Sequence, residues 1–331
     1  MRITLVMASC EDGGLEKHVI ELANGLALEH HVSLIAHPRF KTWLSDRVAL
    51  INFDMSGSRH NPWTKYQLKK KIQMTAPDIV HAHASKTAQL MSGLIKKIKV
   101  PCIVTVHGAK SKLKPYAAFD TIIAVSQKLA EHINLPSKTE VIYNGVILSQ
   151  AAQPWEKNRK FLAIGRLNEV KGFDVLIQAW VGIEAQLNIY GEGEQLQRLQ
   201  VLIEQLGLHN QVKLCGFSHE IQQKISQHEA LIVSSQREGG PYTLSEALLL
   251  NRPVIGTDVG MMAEFVPDEF LCVPNEINEL RRIILAYLCT QDPLSLYQPA
   301  FEKAKKNLTY TAMLEQTLLT YGRSLAKHKR S

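Results

Sequence analysis

The stretch Ala230-Leu-Ile-Val233, then Glu238-Gly-Gly-Pro-Tyr-Thr-Leu-Ser-Glu246 running on to Asn251, sets the reading of the whole chain. A short apolar run, a glycine-proline turn and an apolar-periodic segment together describe a buried strand feeding a helix. Pro241 suits the first helical turn, where its missing N–H is not needed and its φ is already helical. Gly239 and Gly240 let the backbone approach a ligand closely, and the helix start, through Tyr242 and Thr243, offers unpaired N–H groups. Glu238 and Glu246 bracket the turn, and a carboxylate accepts from two hydroxyls at once, which suits a polyhydroxylated ligand. The same stretch also fits an ordinary strand–loop–helix unit with two solvated glutamates, so the rest of the chain has to decide.

Working outward, strand-like runs at 160–165, 186–190, 211–215, 230–234, 253–256 and 270–273 alternate with helical periodicity over 172–181, 194–206, 218–227 and 241–250. The first half repeats the pattern. Its strands fall near 3–7, 32–36, 48–53, 78–82, 102–106, 121–125 and 140–142. Its helices cover 15–28, 64–74, 86–98 and 126–133, the last with Ser126 as N-cap. Strands alternating with helices predict an α/β fold of parallel, doubly wound sheets. The pattern pauses at Asn144-Gly145-Val146 and over the polar, proline-containing 150–159, the best linker. From Asn275 onward the periodicity is helical, and a last helix near 309–326 is placed to return to the first half. The expected organisation is a domain over 1–153, a second over 154–308 and a tail helix within 309–331, with the two domains facing across a cleft.

Composition agrees with two sizeable cores: 331 residues, 45% hydrophobic and 21% charged. No apolar run approaches the ~18 residues of a membrane span. Met1-Arg-Ile-Thr-Leu-Val-Met7 reads as a first buried strand and lacks a signal-peptide layout. The five cysteines are scattered and lack metal-type spacing, which suits a reducing cytoplasm; three lie in strand-like runs and read as small core residues. Charge is uneven. Residues 1–153 hold 19 Lys and Arg against 11 Asp and Glu, whereas 154–331 hold 19 against 20. The lysines cluster at Lys65, Lys69, Lys70 and Lys71, at Lys96, Lys97 and Lys99, and at Lys110, Lys112 and Lys114. Such clusters attract an anionic membrane surface or a phosphorylated glycan, or form a merely solvated basic face. Nucleic acid is the poorest fit, because no aromatic-interleaved or zinc-finger pattern accompanies the lysines.

Other strand ends carry candidate chemistry. Gly165-Arg166-Leu-Asn-Glu-Val-Lys171-Gly172 follows a strand and opens a helix, and its two cations can neutralise a diphosphate without a metal. Tyr190-Gly191-Glu-Gly193 lacks the third glycine of a dinucleotide fingerprint, since Leu196 stands there, and reads as a tight turn. At Gly216-Phe217 backbone groups can hold a base edge. Gly13-Gly14-Leu15-Glu16 has the form of a phosphate- or sugar-approach loop, or of a purely structural turn. His107-Gly108 closes the strand over 103–106 and is a candidate cleft residue. His81 and His83 have metal-like spacing, but no partner motif supports a metal site.

Taken in order, Gly13-Gly14-Leu-Glu16, Thr105-Val-His107-Gly108, Ile123-Ala-Val-Ser126, Val141-Ile-Tyr-Asn144-Gly145-Val146, Gly165-Arg166 with Lys171-Gly172, Tyr190-Gly-Glu-Gly193 and Glu238-x7-Glu246 form one set. The set resembles the retaining GT-B glycosyltransferases of family four, the group-one sugar transferases of bacterial polysaccharide and lipopolysaccharide assembly, over nearly the whole chain. The resemblance implies two Rossmann-like domains and transfer from a UDP- or GDP-sugar to a glycan or lipid-linked glycan. It implies that Arg166 and Lys171 bind the donor diphosphate, that Glu246 holds the ribose hydroxyls, and that Glu238 with Gly239 and Gly240 meets the donor sugar. Gly14 then lies against the donor phosphates and His107 near the transferring sugar, with no metal and no other cofactor. Gly240 stands where the family commonly has an aromatic, and Met261-Met262 follow Gly260 where a smaller run is usual. Two other readings share the fold: a nucleotide-sugar epimerase, and a non-catalytic partner in glycan assembly. The expected place of action is the cytoplasm, peripheral to the inner face of its membrane through the lysines of the first domain.

Overall fold

A computed structural model of the protein describes residues 1–108 and 113–329, so Lys110 and Lys112 lie outside the described residues. The chain divides into two compact units, Met1–Gly145 with Thr311–Ser331, and Val146–Tyr310.

The first unit is built on seven strands: β1 (Arg2–Met7), β2 (His31–Ala36), β3 (Val48–Asn52), β4 (Ile79–His83), β5 (Cys102–Val106), β6 (Thr121–Ala124) and β7 (Thr139–Val141). All pairings are parallel, in the order β3-β2-β1-β4-β5-β6-β7. Every residue of β4 and β5 is buried. That is the expected state of parallel strands covered by helices on both faces, and it explains their unbroken apolar runs. The helices are α1 (Gly14–Leu26), α2 (Pro62–Met74), α3 (Ala84–Ser92) and α4 (Gln127–Ile133). Ser126 caps α4 by accepting from the Leu129 N–H at 3.2 Å. The helix expected over 86–98 is shorter, ending at Ser92 before a 3-10 turn at Ile95–Lys97.

The second unit repeats the plan with β8 (Lys160–Ile164), β9 (Gln186–Tyr190), β10 (Val212–Leu214), β11 (Ala230–Val233), β12 (Val254–Thr257) and β13 (Leu271–Cys272), ordered β10-β9-β8-β11-β12-β13. Its helices are α5 (Phe173–Ala179), α6 (Leu196–Gln205), α7 (Ile221–Ser226), α8 (Tyr242–Leu249), the short α9 (Met262–Phe265), α10 (Ile277–Cys289) and α11 (Pro293–Asn307). The segment before β8 is fastened to this unit. Arg252, 1% exposed, donates to the carbonyls of Gln153 and Pro154 at 3.1 Å and of Ser226 at 2.7 Å. In both sheets the strand order reverses next to the first strand, between β1 and β4 and between β8 and β11. Open α/β sheets bind ligands beyond the carboxyl ends of strands at such a reversal.

The final helix, α12 (Tyr310–His328), belongs to the first unit almost throughout. Its Tyr321 hydroxyl meets His81 Nδ1 at 2.7 Å, Ser324 meets Thr121 at 2.9 Å, and Thr320 and Arg323 both donate to Glu140. Two further details differ from the sequence reading. Pro241 is not in the first turn of α8 but at its N-cap, with φ −65° and ψ 124°, so the helix begins at Tyr242. Of the cysteines, Cys102 and Cys272 are buried, but Cys215 lies just past β10 and is exposed. Only two of the five therefore fill core positions.

Candidate functional site

In the second unit, the reversal between β8 and β11 brings together residues far apart in the chain. Lys171 Nζ and Glu238 Oε1 form an ion pair at 2.6 Å, with both side chains largely but not fully covered. Ser235 donates to the same carboxylate oxygen at 2.8 Å. Three backbone features hold the pair in place. Lys171 ends a 3-10 turn (Glu169–Lys171) whose Val170 carbonyl accepts from Gln236 N–H at 2.8 Å, while Ser234 donates to the Lys171 carbonyl at 2.8 Å. Gly172 has φ +62°, and a Cβ there would lie 2.3 Å from the Ser234 carbonyl oxygen. Gly165 gives the Lys171 stem its bed, because a Cβ would stand 2.8 Å from Lys171 Cε. Arg166 follows on the exposed side of the same turn.

Tyr190-Gly-Glu-Gly193 proves to be the brace of this turn. Gly165 N–H donates to the Tyr190 carbonyl and Leu167 N–H to the Glu192 carbonyl, at 3.0 and 2.8 Å. Gly191, at φ +151°, passes so close that a Cβ would meet the Gly165 carbonyl oxygen at 1.8 Å. Gly216, at φ +71°, accepts from Gly191 N–H at 2.8 Å, and the neighbouring Phe217 is exposed. Across β11, Gly260 approaches Gly239 so closely that a Cβ would lie 2.4 Å from its carbonyl oxygen, and Met261 and Met262 behind it are fully buried. Pro241 is buried, Gly240, Tyr242 and Thr243 are half-buried, and Glu246 lies in α8 at 6% exposure. Gln222 Nε2 reaches Glu246 Oε1 at 3.5 Å, while its amide oxygen accepts from Ser149. A cavity of about 570 Å³ in this unit, lined by Gln186, Asn188 and His228 among others, shares only Tyr190 of the bracing turn with this site and none of its charged residues.

In the first unit, the reversal between β1 and β4 is occupied by histidines. His81 and His83 end β4, His107 follows β5, and His18 sits on α1, whose first residue is the exposed Gly14. His83 pairs in register with Thr105, which sets His107 beside it. His83 Nδ1 and His107 Nε2 are 3.4 Å apart, and the His18 ring lies edge-on to His107 at 4.7 Å between centroids. His81 is fully partnered, by Tyr321 on one nitrogen and Thr105 on the other, each at 2.7 Å. Burial, which removes water from the charged form, lowers the His18 pKa to about 4 against a side-chain bond from Asn144. Burial likewise lowers His81 to about 3 and holds His83 and His107 well below the ordinary range. The imidazoles are neutral at physiological pH. The sequence reading singled out His107 and saw the spacing of His81 and His83, but missed His18. No partner motif marks His81 and His83 in the sequence; in the structure it is His18, His83 and His107, without His81, that offer ring nitrogens all within 4.8 Å of one another.

Helix α2 carries a further feature the lysine clusters did not show. Trp63, Tyr66 and Met74 are exposed on it among Lys65, Lys69, Lys70 and Lys71, and Lys70 lies over the Tyr66 ring at 4.8 Å.

Two doubly wound parallel-sheet units of this kind define the GT-B class. Over 97% of this chain and 99% of the other, the fold matches a crystal structure of HepE from Anabaena in complex with UDP-glucose, at 24% identity and a TM-score of 0.80. The model of the group 1 glycosyl transferases matches residues 148–306, and that of Glycosyltransferase Family 4 matches residues 12–150. The two matches run almost from end to end, and the chain belongs to this glycosyltransferase family. An uncharacterized glycosyltransferase of Methanocaldococcus jannaschii is 27% identical over 68% of this chain and 69% of its own. An α-1,4-N-acetylgalactosaminyltransferase of Campylobacter jejuni, acting on a glycan carried by diphospho-undecaprenol, is 22% identical over 75% of this chain and 77% of its own.

Proposed function

We propose that this glycosyltransferase moves a sugar from a UDP- or GDP-sugar, with retention of anomeric configuration, onto a lipid-linked glycan of cell-surface polysaccharide or lipopolysaccharide assembly. The Lys171–Glu238 ion pair at the β8–β11 reversal carries the reading. Glycosyl transfer develops charge on the leaving diphosphate, and preorganised cations aimed at that charge lower the barrier. Lys171 and Arg166 supply them without a metal. As the diphosphate takes Lys171 from Glu238, the carboxylate is released to accept from hydroxyls of the sugar, with the amides of Gly239 and Gly240 beside it. Glu246, one turn into α8, takes the ribose hydroxyls; Gly216 and Phe217 take the base edge. Pro241, Tyr242 and Thr243 shape the helix start toward the donor, and Gly14 and His107 of the first unit take the donor phosphates and the transferring sugar.

The tests are direct. In a thermal-unfolding panel of nucleotide sugars the true donor raises the midpoint, because a ligand of the native state stabilises it by mass action. Transfer in excess EDTA continues at its full rate, and nuclear magnetic resonance of the product shows the donor's anomeric configuration. Loss of transfer in EDTA would refute the metal-free account, and an inverted product the retaining one.

The Campylobacter relative is named for a glycan acceptor on diphospho-undecaprenol, and the exposed Trp63, Tyr66 and lysines of α2 suit an anionic, lipid-bearing acceptor of that kind. Aromatic rings favour the membrane–water interface and lysines the anionic headgroups. The enzyme therefore works at the inner face of the cytoplasmic membrane. Co-sedimentation with anionic vesicles falls in Trp63→Ala and when Lys69, Lys70 and Lys71 become Gln; binding indifferent to both changes and to salt would count against it.

A further inference from the structure

We propose that His18, His83 and His107 form a binding site for a zinc-class divalent cation, and that its occupancy opposes glycosyl transfer. One ring nitrogen from each residue lies within 4.8 Å of the others. His18 Nδ1 is buried and has no hydrogen-bond partner, in a side chain 4% exposed. A buried polar atom without a partner costs about 1–3 kcal/mol, and donation to a cation relieves that cost. The donor set is imidazole alone, which suits Zn2+, Co2+ or Ni2+ rather than the oxygen-seeking Mg2+ or Ca2+.

The spacing agrees with this chemistry. Zn–N bonds of about 2.0–2.1 Å in a tetrahedron set nitrogens roughly 3.4 Å apart. His83 Nδ1 and His107 Nε2 already stand 3.4 Å apart. The other spans are no longer than 4.8 Å. Three protein ligands leave a fourth position for water. The cation is no cofactor of the transfer. Because the proposed reaction uses His107 at the sugar, a bound cation removes it, and this second claim rests on that reading.

The experiment titrates untagged, chelator-treated full-length protein with Co2+ and no donor. The expected result is one equivalent bound, with the visible ligand-field band of tetrahedral cobalt, weakened roughly tenfold or more in His18→Ala and in His107→Ala. His209→Ala, at an exposed site elsewhere, leaves it unchanged. His107→Ala keeps the test decisive should the buried His18→Ala fail to fold. No saturable band in the wild type, or an equal band in His107→Ala, overturns the site. One equivalent of Zn2+ is expected to suppress transfer and EDTA to restore it; unchanged transfer at saturation overturns the antagonism. A protein that shows the cobalt band yet transfers no sugar without cation counts against the proposed reaction and leaves the site standing.

Discussion

At the strand reversal of the first unit the polar groups are four imidazoles, three buried and one half-buried, all held neutral. At that of the second they are a lysine and a glutamate, charged, paired at 2.6 Å and still partly open to water. The two places are topologically equivalent, and the contrast follows from what burial demands of each group. An imidazole sheds its proton near neutrality, so it can enter a dry site as a neutral ring at modest cost. An ammonium and a carboxylate lose several kcal/mol each on full desolvation, so they remain at an open edge and in contact with each other. The first site is thus a set of hydrogen-bonding and ligating atoms, and the second a set of movable charges.

The largest test of this contrast is Lys171→Ala. Removing one preorganised cation from a developing charge lowers kcat by about 10²–10³-fold. Adding Glu238→Gln to that variant costs less than it does alone, because the two share a partner. Steady-state kinetics check this, and a loss below tenfold would remove Lys171 from the chemistry.

Acid acts on the other unit. His18 has a native pKa of about 4, against about 6.5 in an unfolded chain, so the unfolded state takes up the proton first as pH falls. Stability is therefore whole above about 6.5 and declines down to about 4. His18 alone accounts for about 2–3 kcal/mol between pH 7 and pH 4.5. Urea unfolding at the two pH values measures the decline, and His18→Gln should make it shallower. An equal decline in that variant would mean that His18 is protonated in the native state.

Tyr321→Phe removes the hydroxyl that meets buried His81 Nδ1 and should destabilise by about 1–2 kcal/mol. A larger loss of transfer than of stability would show that α12 also positions the histidines. The smallest effect is expected for Arg323→Ala. Its pair with Glu140 is half-exposed, and exposed pairs contribute about 0–1 kcal/mol.

Much of this was legible in the chain. The strand-to-helix turns at Gly165–Gly172 and Tyr190–Gly193 are visible from glycines that follow apolar runs, and the missing third glycine sets the second apart from a dinucleotide fingerprint. The N-cap at Ser126 and the returning last helix were also visible. What the residues did not show was company. His18, His83 and His107 are spaced by 65 and 24 residues, a pattern with no metal-motif signature. A hint existed in His83 and His107, each ending or following a fully buried strand, but only adjacency of those strands makes it count. Lys171 and Glu238, read as separate parts of a donor site, turned out to touch across 67 residues.

Periodicity and turn chemistry belong to neighbours in the chain, so sequence alone determined the α/β alternation, the family and the glycine turns that follow the strands. Strand order belongs to long-range burial, which sets β1 beside β4 and β8 beside β11. Only that choice decided that one reversal would gather neutral imidazoles and the other a lysine on a glutamate, because contact between distant residues is settled by which apolar faces must cover each other.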